Sequence, residues 1–577
     1  MRTIVKYDLN KGNFIREYLA KKGVGNIDLF LHPDESCEEP YWHLDNINEG
    51  LEMFDYVMQF HMKMNIIVDD DNDGFCSCAL LAFFLRNIEY PKDKYRFVFH
   101  PHKEHGIVLE ELDEDCDIVI APDCGTSDFE AQAVLTRRGV SVLCLDHHPC
   151  TNFKDYEPRL NLCIINNQLS SYYKNKGLCG AGVTYKFLKA YCKRYRPDIS
   201  MDSYVDILAI ALVGDVMDLS TMENRYYVSL GLNNIQNPFF RTLIEKRAYS
   251  IGSTTPTPTD VAFYLIPAIN AVIRMGTAED KEHLFRAMVE GDKIVLSTKR
   301  GHAPNETEKL SEQVVRFCDN NIAKQRKERT RIADLLVSRI AEKGYDQDKI
   351  IIGEYYEEDG VNPSLTGLAA MELATMYQRP ALVVKYNEET GEWSGSARNY
   401  GSAIFDLKQF LSDSKLLTLA AGHANAFGIS FLNSNLQPLR EYFNTHLSTI
   451  NYNDNEYQVD CDFLPTDNWL IPTIAQIDNN KGIWGKGVEE PLLYIRGIPL
   501  KHKDIIAMGK NADSTKFNCG GVAYVKFKDI EFHDNLMTAE EPIYLNVVAK
   551  ANMNNWQGHS TPQLIIQDYT IENIYDF

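Results

Sequence analysis

A chain of 577 residues is too long for one hydrophobic core and is expected to divide into three or four domains. Apolar residues make up 44% and charged residues 24%, the balance of a soluble globular protein, and no apolar run reaches the ~20 residues needed to span a bilayer. The net charge of -22 argues against a surface that binds nucleic acid throughout, but leaves room for a basic groove on an acidic protein.

The first residues, MRTIVKYDLNKGNF, contain no apolar signal segment. Thirteen scattered cysteines, with no CxxC pair or Cys/His cluster, read as reduced thiols in a cytoplasm, not as a disulfide framework or a zinc site. Residues 1–60 read as a helical lead-in. From Met64 short apolar strands alternate with helices: NIIV at 65–68, YRFVFH at 95–100, DIVIAP at 117–122, VSVLCLD at 140–146 and CIIN at 163–166. Such continuous apolar strands predict a parallel sheet covered on both faces. Residues 204–288 are strongly helical. Residues 306–343, with no glycine or proline, predict a long exposed connecting helix, with a coiled-coil arm as the alternative. A second α/β region begins at KIIIGEYY (349–356), and short strands with Gly, Asn and Pro turns from about 455 predict a small β-barrel. The expected architecture is therefore α/β: a lead-in (1–60), a parallel-sheet domain (61–300), a connecting helix (301–345), a second α/β domain (346–450) and a barrel (451–577).

The chemistry gathers at strand ends. VDDDNDGFC (68–76) resembles a calcium loop, but the position that needs glutamate is Leu80, and the segment before the loop is a strand, not a helix. The next acids are Asp123, Asp146 with His147 and His148, and Asp215, each closing an apolar segment. In a parallel sheet such ends share one edge. Each aspartate alone reads first as a helix N-cap; four clusters in order do not. So much like charge in one place needs a counterweight, and mixed Asp/His ligation points to Mn or Mg, with Fe or Zn as alternatives. The number of ligands suits two metals sharing a carboxylate.

Together, DDDNDG, DCG, DHH and GDVMDL resemble the four motifs of the DHH phosphoesterase superfamily. VDILAIALVGDVMDLSTMENR (205–225), LCGAGVTYKF (178–187) and IPAINAVIRMG (266–276) are similar to its RecJ-type single-strand-specific exonucleases. GSAR (395–398) and GHANAFG (422–428) resemble the associated DHHA1 domain. WGKGVEEPLL (484–493) and NNWQGHSTPQLIIQD (554–568) resemble the exonucleases' oligonucleotide-binding (OB) barrel.

The resemblance implies a 5′–3′ exonuclease of single-stranded DNA, a monomer working with a single-strand-binding protein or helicase in repair, recombination or replication. It implies two divalent ions, Mn2+ or Mg2+, with Asp71 and Asp73 each holding one, Asp123 bridging them, His147 and Asp215 completing the second site and Asp69 supporting. Asp70 is expected in solvent. His148 faces the scissile phosphate, Asp146 orients a histidine and Arg274 offsets phosphate charge. Ser396 and Arg398 would bind the 5′ phosphate, Gly422 and His423 would lie on a phosphate-contacting turn, and Trp556 would stack a base. The chain departs from the family pattern at Lys103, where an arginine is usual, and at Asn167 and Ile273. Two alternatives fit part of the pattern: a phosphodiesterase of short oligoribonucleotides or cyclic dinucleotides, which would lack the barrel, and a replication scaffold, which would lack the motif acids.

Overall fold

A computed structural model of the chain describes residues 2–101, 105–150, 160–401, 403–452, 456–556 and 559–572. By internal contacts, Thr3–Asp319 together with the chain from Gln458 form one compact unit, and Asn320–Tyr457 belong to another. Among the described residues no helix is long and apolar enough to cross a membrane. All thirteen cysteines are free, and eleven of them are buried.

The first unit opens with helix α1 (Phe14–Lys21), whose apolar residues Phe14, Ile15, Tyr18 and Leu19 are all buried. A five-stranded sheet follows: β1 (Met64–Val68), β2 (Tyr95–Phe99), β3 (Ile118–Pro122), β4 (Ser141–Asp146) and β5 (Leu162–Asn166). All pair in parallel, in the order β2-β1-β3-β4-β5. In this order the chain reverses direction across the sheet between β1 and β3, and at such a switch point a crevice opens beyond the carboxyl ends of the strands. Strands β1 and β3 are buried along their whole length, as their unbroken apolar runs predict.

Around the sheet pack α2 (Asn72–Asn87), α3 (Gly180–Tyr195), α4 (Val205–Gly214), α5 (Met222–Leu232), α6 (Ile266–Met275) and α7 (Ala278–Glu290). Helix α6 follows directly on a π-helical turn, Val261–Leu265. Helix α8 (Leu310–Lys343) crosses from one unit into the other and stops at Gly344, whose φ of 70° no other residue adopts so readily. The sequence predicts it exposed. In fact both ends are anchored, by Val314, Val315 and Cys318 and by Ile332, Leu336 and Ile340, and the charged stretch between them is largely open.

The second unit carries β6 (Ile351–Tyr355), β7 (Ala381–Asn387), β8 (Glu392–Arg398), β9 (Leu419–His423) and β10 (Ala426–Leu432), in the order β9-β10-β8-β7-β6. Helix α9 (Thr366–Tyr377) packs on this sheet.

Back in the first unit, β11 (Cys461–Phe463) precedes helix α10 (Leu470–Asn479), and then come β12 (Leu493–Leu500), β13 (Ile506–Met508), β14 (Ser514–Cys519), β15 (Val522–Lys526), β16 (Ile543–Trp556) and β17 (His559–Glu572). They form one mixed sheet in the order β11-β12-β16-β17-β15-β14-β13. Its core includes Phe463, Leu493, Ile495, Leu545 and Leu564, and the lead-in residues Phe14, Tyr18 and Phe30 belong to that same core.

Candidate metal centre

Strand β1 is followed by Asp69, Asp70 and Asp71, and α2 begins at once. Asp71 is the helix N-cap: its Oδ1 accepts the Gly74 N–H at 3.0 Å. Capping uses one oxygen and leaves the other available. Gly74 is required by crowding, not by a special φ, because a Cβ there would stand 2.6 Å from the Asp69 carbonyl oxygen. Asp73, in the first turn of α2, accepts the Gly180 and Ala181 N–H groups of α3 at 2.7 and 3.0 Å. The positive end of a sixteen-residue helix thus faces this carboxylate. Gly180 permits the approach, since a Cβ there would overlap Asp123.

Asp69 is buried, accepting the Gly106 N–H at 3.2 Å and pairing with His105 Nδ1 at 2.7 Å. Asp70, expected in solvent, is instead sealed in the core. Both its oxygens accept from Lys281 Nζ at 2.7 Å, and the same ammonium donates to the His100 carbonyl at 2.8 Å. A charge this close to Asp69 and Asp71 cannot be held dry without a partner, and α7 supplies one from 211 residues away.

Asp123 follows β3 with φ 64°, a left-handed conformation that costs on the order of 1–3 kcal/mol and that aspartate tolerates better than most residues. It caps nothing. Both of its carboxylate oxygens, and Asp215 Oδ2, are buried without a hydrogen-bond partner among the described residues. Burial, then the charges of Asp73, Asp71, Asp69 and Asp215, push its pKa well above the usual carboxylate range. Asp215, closing an apolar segment within the region that reads as helical, is the C-cap of α4. A carboxylate at the negative end of a helix is unfavourable. Burial, followed by Asp73 and Asp71, raises its pKa to about 8, opposed by His148.

His147 stands among these groups, its Nε2 3.3 Å from Asp123 Oδ1, 3.6 Å from Asp215 Oδ2 and 3.8 Å from Asp73 Oδ2. Burial lowers its pKa, which favours the neutral ring that ligates metals. Three ligand sets result: Asp73, His147 and Asp215; Asp69, Asp71 and Asp123; and Asp123, His147 and His148. Asp123 takes part in sets on both sides. Orphaned buried oxygens, crowded carboxylates and a neutral imidazole are the donor set that two hard or borderline divalent cations would satisfy.

Asp146 has both oxygens engaged. Oδ2 accepts the Thr126 N–H at 2.9 Å, while Oδ1 accepts the His147 and His148 N–H groups at 2.7 and 3.1 Å and pairs with His148 Nδ1 at 2.8 Å. Burial works against the His148 imidazolium, but Asp146, with help from Asp69 and Asp71, outweighs it and lifts the pKa to about 9. Half of the His148 side chain is exposed. Arg274, near the end of α6, lies in the field of Asp71, with burial pulling its pKa down, and no hydrogen bond or ion pair engages its guanidinium among the described residues.

In the second unit, Ser396 pairs with Gly428, and both Arg398 and His423 pair with Ala426, one from each side. Registered partners share a face of the sheet, so Arg398 and His423 flank a small residue on one surface. Ser396 Oγ lies 2.9 Å from Thr366 Oγ1 at the start of α9, and a Cβ on Gly367 would overlap the Arg398 guanidinium. Gly422 has φ 124° and packs close to Phe427. Lys103 and the Trp556 side chain lie outside the described residues. Sequence reasoning passes over Lys281, His105, Thr366 and Gly367. Only the Thr-Gly step beginning a helix in SLTGLAA, and the closeness of His105 to the Lys103 loop, give a local signal.

Residues 63–212 match the DHH family, N-terminal domain, and residues 464–568 match the RecJ OB domain. A prophage protein of Bacillus subtilis (strain 168), provisionally named single-strand DNA-specific exonuclease YorK, is 32% identical over 562 residues, covering 96% of this chain and 95% of its own. The single-stranded-DNA-specific exonuclease RecJ of the same organism is 23% identical over 586 residues, covering 96% and 68%. The crystal structure of RecJ from Thermus thermophilus in complex with Mn2+ superposes with a TM-score of 0.70 at 20% identity, covering 99% of this chain and 79% of that one.

Proposed function

The chain belongs to the RecJ-type single-strand-specific exonucleases of the DHH phosphoesterase superfamily, and on that footing we propose that it is a Mn2+- or Mg2+-dependent 5′–3′ exonuclease that hydrolyses single-stranded DNA to mononucleotides. The observation that carries this reading is Asp123: a buried, strained carboxylate with both oxygens unsatisfied, between two sets of ligands.

Asp71 and Asp69 would hold one ion, Asp73, His147 and Asp215 the other, and Asp123 would bridge. Divalent ions there supply Lewis acidity toward a phosphodiester and acidify water near neutral pH. The protein's own residues do the rest. The α3 N-terminus fixes Asp73, and Asp146 fixes the His148 ring with its proton on Nδ1. His148, charged and half open, donates to a phosphate oxygen or to the departing one. Arg274 offsets charge on the non-bridging oxygens. Replacing Asp146 with Asn keeps the shape and removes the charge; turnover is expected to fall about 10–100-fold, and stability by about 1–3 kcal/mol, because an amide NH2 would face a backbone N–H that the carboxylate now accepts. Unaltered turnover would remove Asp146 from the mechanism.

Ser396 and Arg398, beside the start of α9, with His423 across Ala426 from Arg398, would form the 5′-phosphate site, where an arginine fork and helix N–H groups suit a phosphate. Lysine reaches a phosphate as a point charge only. Arg398→Lys is therefore expected to lower kcat/KM about 10-fold on 5′-phosphorylated strands and much less on 5′-hydroxyl strands. An equal loss on both substrates would remove Arg398 from end recognition.

The decisive assay is digestion of 5′- and 3′-labelled strands, DNA and RNA, with and without Mn2+. Release of the 5′ label first, from DNA and only with metal, is the expected result. A preference for dinucleotides would favour the short-substrate phosphodiesterase instead.

A further inference from the structure

The segment that follows Asp215 is held from an unexpected direction. Helix α4 ends in a Schellman motif: the Met217 N–H donates to the Leu212 carbonyl at 2.9 Å, and the Val216 N–H to the Val213 carbonyl at 3.2 Å. Val216 occupies the left-handed position, φ 56°, where glycine is the usual residue. It is β-branched and 62% exposed, so neither intrinsic preference nor burial keeps it there.

The next residues meet the loop between α10 and β12. The Leu219 N–H donates to the Lys486 carbonyl at 2.8 Å. Gly487, with φ 80°, lies so near the Asp218 carboxylate that a Cβ would overlap it. Asp218 cannot simply swing away, because its Oδ1 accepts the Ser220 N–H at 2.7 Å. A Cβ on Gly485 would stand 2.6 Å from Leu219 Cδ1. Arg225, on α5, closes the arrangement: Nε donates to the Leu219 carbonyl and Nη2 to the Ile483 carbonyl, each at 3.0 Å, and the guanidinium sits 3.6 Å from the Phe30 ring centroid. Asn224 adds a bond to the Asp218 carbonyl at 3.0 Å.

We propose that the barrel loop Ile483–Val488, acting through Arg225, is a positioning element of the metal centre: it holds the Val216–Ser220 turn closed and thereby sets Asp215 for its ion. The C-terminal barrel is then a structural part of the metal site in addition to any contact it makes with nucleic acid. The inference rests on Asp215 holding a divalent ion as proposed above. The mechanical link is short. Asp215 is the C-cap, so its backbone is the joint between a rigid helix and the turn, and releasing Leu219 frees the turn back to the strained Val216, which adjoins Asp215.

Mn2+ titration of the full-length protein, read by calorimetry and by the spin-resonance signal of free Mn2+, tests this without relying on activity. Gly487→Ala is expected to weaken one of the two Mn2+ equivalents about 10–100-fold, the loss typical when support for a metal ligand is removed. Gly485→Ala is expected to do less, because Leu219 Cδ1 can rotate aside. Arg225→Lys, which keeps the charge but reaches only one carbonyl, should fall between them, and raising Mn2+ should restore turnover in all three. Asp215→Asn is the reference and should lose the same equivalent. Wild-type protein that binds no Mn2+, or an unaffected Asp215→Asn, overturns the metal reading itself. Loss in Asp215→Asn alone, with any of the three loop variants folded by circular dichroism and binding Mn2+ as wild type, overturns the positioning role. A Gly487→Ala chain that does not fold leaves Arg225→Lys and Gly485→Ala to decide.

Discussion

Asp123→Asn is expected to lower turnover at least about 1,000-fold, remove tight Mn2+ binding from both positions, and yet make the metal-free protein more stable. The two signs come from one fact. In the absence of metal, Asp123 is a buried carboxyl group with no hydrogen-bond partner among the described residues, surrounded by Asp73, Asp71, Asp69 and Asp215. Asparagine removes the charge, keeps the volume and accepts the left-handed backbone. Because burial and then the neighbouring acids hold the Asp123 pKa well above the usual carboxylate range, folding at neutral pH costs either proton uptake or a buried charge there, and removing the ionisable group should stabilise the metal-free protein by about 1–3 kcal/mol. Saturating Mn2+ should reverse the order, because an ion bound only by the folded wild type adds about 2.7 kcal/mol at one hundred times its Kd. Thermal unfolding of both proteins, with chelator and with excess Mn2+, reads the crossing. A variant less stable than wild type under both conditions would mean that Asp123 is an ordinary structural residue.

The second large effect is expected at Lys281, whose partner Asp70 is not one of the candidate metal ligands. Lys281→Met leaves Asp70 charged and buried, and should destabilise the protein by about 3–5 kcal/mol in chemical denaturation. Asp70→Asn added to Lys281→Met should recover part of that loss, because the stranded charge is gone. Turnover should fall with the single variant, since Asp70 lies between Asp69 and Asp71 and the Lys281 ammonium ties it to α7 and to the His100 carbonyl. If the double variant is no more stable than Lys281→Met alone, the ion pair is not what holds this loop.

Both residues show where the sequence is readable and where it is not. Strand ends are legible because β1, β3 and β4 are buried and read as unbroken apolar runs, so a sudden aspartate stands out. Asp71, Asp73, Asp123, His147 and Asp215 are accordingly picked out by position, and the structure brings them together. The run before Asp215 lies in the stretch that reads as helical, and there the acid closes a buried helix where the others follow strands. Asp70 is misplaced because nothing in DDDND distinguishes one carboxylate from its neighbours. What separates them is Lys281, an ordinary-looking residue on a capped amphipathic helix, and a contact at that sequence distance leaves no local trace. Thr366 and Gly367 show locally only as a Thr-Gly step at a helix start, because their partners, Ser396 and Arg398, lie on another element.

The first unit is interrupted by the second, and this bears on the order in which the protein can assemble as it is made. Phe14, Tyr18 and Phe30 complete their core only with residues from 461 onward, and Leu219 meets Lys486 only when the last quarter of the chain exists. At the usual pace of synthesis the ribosome spends roughly 7–30 seconds on the intervening unit. Through that interval the five-stranded sheet can form, but the lead-in keeps an apolar face with nothing to cover it. A nascent chain stalled there carries all of its candidate metal ligands and none of its barrel, so the ability to cut is among the last properties the growing protein acquires.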